Sequence, residues 1–78
     1  MTDEEKNIAL QITKVSERIK QIRIEKGYSS YENFALEKEI SRMQYWRTEN
    51  SSNITLKTLF KTLHLLEISP EDFFKDFS

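Results

Sequence analysis

The stretch that decides the fold is Phe34-Ala35-Leu36-Glu37-Lys38-Glu39-Ile40-Ser41-Arg42-Met43-Gln44-Tyr45-Trp46-Arg47-Thr48-Glu49-Asn50. It reads as one short helix, a tight turn and a second helix. Ser29-Ser30-Tyr31-Glu32 forms a capping box, which predicts a helix start in which the Ser29 hydroxyl and the Glu32 carboxylate each satisfy a backbone donor. Tyr31, Phe34, Ala35 and Lys38 then share a face at helical spacing, and the helix is expected to end near Lys38. Glu39-Ile40 forms the turn. Ser41-Arg42-Met43-Gln44 is a second such box and opens a helix over 41–50. The apolar residues of that helix are few (Met43, Tyr45 and Trp46), with Arg42, Gln44, Arg47 and Asn50 between them. So sparse an apolar face, inside a small domain, presents most of its side chains to something other than the core.

Upstream, Ile8, Ile12, Val15, Ile19 and Ile22 recur at spacings of 4, 3, 4 and 3, one apolar stripe on a long helix from about Asp3 to Lys26. Asp3, Glu4 and Glu5 lie at the positive end of its dipole and Lys26 at the negative end. Gly27, the only glycine, suits a left-handed C-terminal cap. Downstream, Asn50-Ser51-Ser52-Asn53 is a polar loop. Ile54, Leu56, Leu59, Phe60, Leu63, Leu65 and Leu66 mark a strongly apolar helix over 55–66, expected to be the most buried element. Ser69-Pro70-Glu71-Asp72 starts a last short helix: a cap, Pro at the first helical position, then two carboxylates. Phe73, Phe74 and Phe77 supply its apolar contacts.

Seventy-eight residues make a single domain, 1–78, and such a chain buries only about 60–65% of its unfolded surface. One Gly and one Pro argue against a turn-rich sheet protein, so an all-α fold is expected. Without cysteine, disulfides and thiolate zinc sites are excluded. The single histidine, His64, lies on a leucine-rich helix, and no glycine-rich loop is present, so neither an enzyme nor a cofactor or metal site is expected. The apolar runs are too short for a membrane span. Met1-Thr2-Asp3-Glu4-Glu5 is acidic where a signal peptide would open basic, so a cytoplasmic protein is expected. Net charge is −1, but its distribution is uneven. Residues 14–61 hold ten Lys/Arg against six Asp/Glu, a balance of +4, while residues 1–13 carry −2 and residues 62–78 carry −3. That segregation is compatible with one positive face.

The ordered series of local motifs resembles the lambda-repressor/Cro-like (XRE) family of helix-turn-helix domains, from about Arg18 to Phe74. Arg18-Ile19-Lys20-Gln21-Ile22-Arg23-Ile24-Glu25-Lys26-Gly27 is similar to the family's first helix and closing glycine. Phe34-Ala35, Ile40-Ser41-Arg42 and Arg47-Thr48-Glu49-Asn50 resemble the helix-turn-helix, about 30–50 here. Leu56-x-x-Leu59-x-x-x-Leu63 and Ile68-Ser69-Pro70-Glu71-Asp72-Phe73-Phe74 resemble the closing helices. There are departures. Glu39 stands where the family usually has a left-handed Gly, Tyr45 where a compact Ile or Val is usual, and Thr48 where a larger apolar residue is common. One residue is added between Gly27 and Phe34, and the loop after Asn50 is shortened.

The resemblance implies a five-helix lambda-repressor-like fold that reads double-stranded DNA with helix 41–50 in the major groove, as a bacterial or phage transcriptional regulator, a repressor above all, in the cytoplasm at the nucleoid. Arg42, Met43 and Gln44, with Arg47 a turn further on, would face the bases. Arg pairs bidentately with guanine, Gln with adenine, and Met43 packs on a thymine methyl, each good bidentate pair discriminating by about 1–3 kcal/mol. Gln44 is divided between base and capping box. Ser41 caps the same helix. Ser30, Tyr31, Asn50, Ser51 and Asn53 are the expected phosphate contacts, with Lys38 and Lys57 less specific. Arg23 and Glu49 are expected as a structural ion pair. Trp46 is open between core edge, DNA backbone and dimer contact.

The first helix begins about two turns earlier than the family needs, an extension over 1–14 whose 4-3 spacing is that of a short coiled-coil seam. It either folds onto Phe73, Phe74 and Phe77 or pairs with a second chain, and a homodimer is slightly favoured. An antitoxin, whose partner would be a toxin protein, and a mobile-element repressor share this domain type. The rival from another class is a protein-interaction module that has lost DNA binding, supported by the overall acidity and by an irregular turn at Glu39.

Overall fold

The computed structural model describes residues 2–50, 53–75 and 77, and all its regular structure is helical. Five helices follow in order: α1 (Asp3–Glu25), α2 (Tyr31–Glu37), α3 (Arg42–Asn50), α4 (Leu56–Leu65) and α5 (Pro70–Phe74). Every one of them opens on a hydroxyl. Thr2, Ser30, Ser41, Thr55 and Ser69 accept from the backbone N–H three residues on, at 3.1, 2.9, 3.3, 3.2 and 3.1 Å. Each bond satisfies a donor that the first turn leaves orphaned, and such a cap is worth about 1 kcal/mol. The α2 cap is Ser30 and not Ser29. The chain enters α2 one residue later than the S-x-x-E spacing suggests, so Asn33, and not Glu32, is the third helical residue.

Three helices end in the same motif. After α1, the Tyr28 N–H reaches Arg23 O (3.1 Å) and the Gly27 N–H reaches Ile24 O (3.0 Å). After α2, Ile40 N–H bonds Ala35 O (3.0 Å) and Glu39 N–H bonds Leu36 O (3.2 Å). After α4, Ile68 and Glu67 repeat the pattern on Leu63 and His64, both at 3.1 Å. These are Schellman caps, whose turn residue is left-handed. Gly27, Glu39 and Glu67 have φ of 99°, 56° and 57°. The Glu39 turn is thus regular in geometry, and the irregularity expected there is confined to the residue type.

Ile19, Ile22, Phe34, Ala35, Tyr45, Leu59, Leu63, Leu66 and Phe73 form the core. At about 1.5–3 kcal/mol for each large side chain buried, this cluster is the main source of stability. Phe34 is central: Tyr28 meets it edge-on at 5.0 Å and Tyr45 packs against it at 4.8 Å. From α4 only the Leu59–Thr62–Leu63 line, continued by Leu66, is buried. Leu56 and Phe60 lie on a flank of the helix and are exposed, so α4 is less buried than its composition suggests.

Arg18 closes the bottom of the domain. Its Nε donates to Phe73 O (2.5 Å), its Nη2 to Asp72 O (3.5 Å), and its guanidinium lies 5.5 Å from the Phe73 ring centre. A cation here meets carbonyls near the C-terminal end of α5, where the helix dipole is negative, while covering the most buried phenylalanine of that helix. Because α5 docks at Arg18, the first turns of α1 project beyond it. Ile12 and Val15 are half-buried, whereas Ile8 and Leu10 stay exposed. Alone, α1 is about 34 Å long, and it sets the 40 Å long axis of the molecule.

Candidate nucleic-acid interface

Helix α3 is anchored on one side only. Tyr45, Thr48 and Glu49 are its buried residues, packed toward α1 and α2. Arg42, Met43, Gln44, Trp46, Arg47 and Asn50 are all exposed. On a 100° wheel Met43 and Arg47 lie opposite the buried line, with Asn50, Trp46 and Arg42 on one flank and Gln44 on the other. The Arg47 Nη2 approaches Met43 Sδ at 3.7 Å, one turn back, which lays the guanidinium along the outer face. Ser41 is spent on the cap through the Gln44 backbone N–H. The Gln44 carboxamide makes no return bond to the described residues, so the competition between cap and base is absent here.

The ion pair that fixes this helix is buried. Arg23 Nε donates to Glu49 Oε2 at 2.7 Å and Nη2 to Oε1 at 3.2 Å, with side-chain exposures of 4% and 3%. The remaining Nη1 donates to Tyr28 O at 2.5 Å. One guanidinium therefore joins α1, its own C-terminal cap and the last turn of α3. Burial opposes the charge on Arg23, but the Glu49 hydrogen bond and charge outweigh it and raise the guanidinium pKa. Beside this pair lies the Tyr45 hydroxyl, buried and without a well-formed hydrogen bond of its own. Burial first, and the neighbouring Glu49 carboxylate second, push its pKa far up.

The flanking positions divide. Ser30 and Tyr31 sit together at the start of α2, both half-buried; the Ser30 oxygen accepts its cap bond, which leaves its O–H as a donor, and Tyr31 packs on the core. Asn50 donates from Nδ2 to Trp46 O at 2.9 Å, so its amide closes the end of α3. Asn53 is exposed in the segment before α4, and Ser51 lies outside the described residues. Lys57 is exposed on α4. Lys38 is half-buried: its ammonium lies 5.7 Å from the Tyr28 ring, 5.9 Å from the Phe34 ring and 3.9 Å from Glu37. It braces the α1–α2 corner, where the Tyr28 hydroxyl also donates to Glu37.

Between α3 and α4 lies a cleft of about 420 Å³ that no local sequence pattern announces. Gln44, Arg47 and Thr48 line one wall, and Thr58, Lys61 and Thr62 the other. Thr48 and Thr62 back-bond to the carbonyls of Gln44 (3.1 Å) and Thr58 (2.8 Å). These short, self-satisfied side chains leave the space between the helices open. Thr48 in place of a larger apolar residue was the available signal.

Searches of family models, of curated proteins and of solved structures find no match to this chain. Among the described residues, no helix is long and apolar enough to cross a membrane.

Proposed function

We propose that this chain is a sequence-specific double-stranded DNA-binding regulator of the lambda-repressor/Cro-like type, reading the major groove with α3 and acting as a repressor. The observation that carries the reading is the one-sided anchoring of α3. Its inner side is locked by Tyr45 and the Arg23–Glu49 pair, while Arg42, Met43 and Gln44 on the capped first turn, and Arg47 a turn beyond Met43, are exposed on the remaining faces. A groove reader needs this combination, since base contacts discriminate only when the helix cannot rotate or slide.

The order of five helices, and a Schellman turn that joins α2 to α3 with its left-handed residue at Glu39, support the family reading. The same turn removes one of the two arguments for a module that has lost DNA binding. Arg42 and Arg47 are assigned to guanine O6/N7, Gln44 to adenine, and Met43 to a thymine methyl. Asn53 and the Tyr31 hydroxyl are assigned to phosphates. Asn50 acts through the end of the helix. The regulator works as a homodimer, a reading supported by the exposed Ile8 on the 4-3 seam of α1. Selection of bound sequences from a random duplex library, followed by titration of the selected site, tests the assignment.

A further inference from the structure

We infer that the cleft between α3 and α4 is a phosphate-binding site with Lys61 as its principal ligand. At about 420 Å³ it falls within the range of small-ligand sites, and among the described residues that line it there is no Asp or Glu. Two cations, Arg47 from α3 and Lys61 from α4, line it together with the Gln44 carboxamide, which makes no bond to the described residues. Lys61 likewise forms no ion pair with them. The hydroxyl hydrogens of Thr48 and Thr62 are already committed to backbone carbonyls, so the charged and amide donors that reach furthest into the cleft come from those three longer side chains. They approach from opposite walls. A tetrahedral anion with several acceptor oxygens accepts from both walls at once, which a planar carboxylate with two oxygens does poorly.

Such a phosphate has two sources, the backbone of a nucleic acid or a free phosphate compound. Only the first rests on the DNA-binding reading. On a duplex, where Arg47 and Gln44 are assigned to bases, Lys61 alone of the three would hold a backbone phosphate, a position that the apolar pattern of α4 concealed.

The test has two arms, using the full chain and Lys61→Met, which keeps most of the apolar stem and removes the charge. Circular dichroism first establishes that the variant folds; Lys61 is exposed, so no loss of structure is expected. In the first arm, nitrogen-15 spectra are followed as inorganic pyrophosphate is added at ionic strength held constant with sodium chloride. Saturable shifts should centre on the Gln44 side-chain amide, Thr58, Lys61 and Thr62, and Lys61→Met should weaken binding by about tenfold, the loss of one charge-assisted hydrogen bond. Shifts that do not saturate, that centre elsewhere, or that are the same in Lys61→Met overturn the site. In the second arm, duplex affinity is measured against salt. A salt slope about one unit shallower in Lys61→Met assigns the site to the DNA backbone. An unchanged slope beside a retained pyrophosphate response assigns it to a free phosphate ligand. Absence of any duplex binding would overturn the proposed function and leave the site to be judged on pyrophosphate alone.

Discussion

Arg23 and Glu49, 26 residues apart, meet through two parallel hydrogen bonds in a site almost closed to water, and this pair fixes the end of α3 to α1. In such a place the charges stabilise the fold only as a pair. Removing either partner leaves the other buried and uncompensated, at a cost of about 3–5 kcal/mol. Urea unfolding should therefore show Arg23→Ala and Glu49→Ala each strongly destabilised. The double change, Arg23→Ala with Glu49→Ala, should lose much less than the two single changes added together. Near-additive losses would mean that the pair contributes no coupling.

Tyr45 offers a test of polarity in the same corner. Its hydroxyl is buried without a well-formed hydrogen bond, which costs free energy that phenylalanine would not incur. Tyr45→Phe is expected to be neutral or to stabilise by about 1 kcal/mol. The pH dependence follows from the raised pKa. Above pH 10 the unfolded phenol loses its proton while the folded one keeps it, so the native state binds more protons and stability falls as pH rises. Phenolate absorbance should show Tyr45 titrating only on unfolding, and Tyr45→Phe should flatten the alkaline decline. An unaltered decline in the variant would assign it to other groups.

The three Schellman turns predict opposite results for glycine. At Glu39 and Glu67 a side chain occupies the left-handed region, so Glu39→Gly and Glu67→Gly should each raise stability by about 0.5–1 kcal/mol. Gly27→Ala should lower it by about 1 kcal/mol. Nothing lies within 4 Å of a Cβ built at Gly27, so that loss is entirely backbone strain. Thermal melts of the three variants check this, and a destabilising Glu39→Gly would show that the Glu39 side chain makes contacts of its own.

For the exposed face of α3, Arg47→Ala and Gln44→Ala should relax preference at single base positions, each by about 1–3 kcal/mol of discrimination. Asn50→Ala should leave base preference intact, because its amide is already bonded to Trp46 O. Comparing selected sequences for each variant separates these outcomes. Loss of affinity without any change in preference would move Arg47 from base to backbone.

Light scattering at micromolar concentration should give twice the 9.4 kDa chain mass, and Ile8→Glu should return it to a monomer. A wild-type mass near 9.4 kDa would remove the homodimer for the free protein.

Much of the architecture could be read from local chemistry. The isoleucine stripe of α1, the Ser41 cap of α3 and the Ser69-Pro70 start of α5 each act through neighbours within one or two turns, and such signals are legible in sequence. The α2 cap falls one residue past the expected position because only Ser29 carries the S-x-x-E pattern, whereas the path of the chain out of the Gly27 turn brings Ser30, with Asn33 three residues on, to the helix start. The exposure of Leu56 and Phe60 was hidden for a related reason, since composition counts apolar residues without saying which flank of α4 meets the core. The α3–α4 cleft depends on what Thr48, Thr58 and Thr62 fail to fill, a property of two helices in space. Of the candidate site, the outward side chains of α3 were legible from its meagre apolar face. The commitment of Asn50 and Lys38 to structural contacts was not: Asn50 bonds a carbonyl one turn back in its own helix, which its residue type does not announce, and Lys38 meets the Tyr28 ring only across the α1–α2 corner.

The central claim is that α3 reads sequence on a duplex held through phosphates. Titrating the chain against its selected duplex and against pooled random duplexes, at about 50 and 200 mM salt, tests it most directly. The account predicts preference for the selected site, a steep loss of affinity with salt through released counterions, and relaxed preference in Arg47→Ala. Equal affinity for both duplex sets, insensitive to salt and to Arg47→Ala, would contradict it.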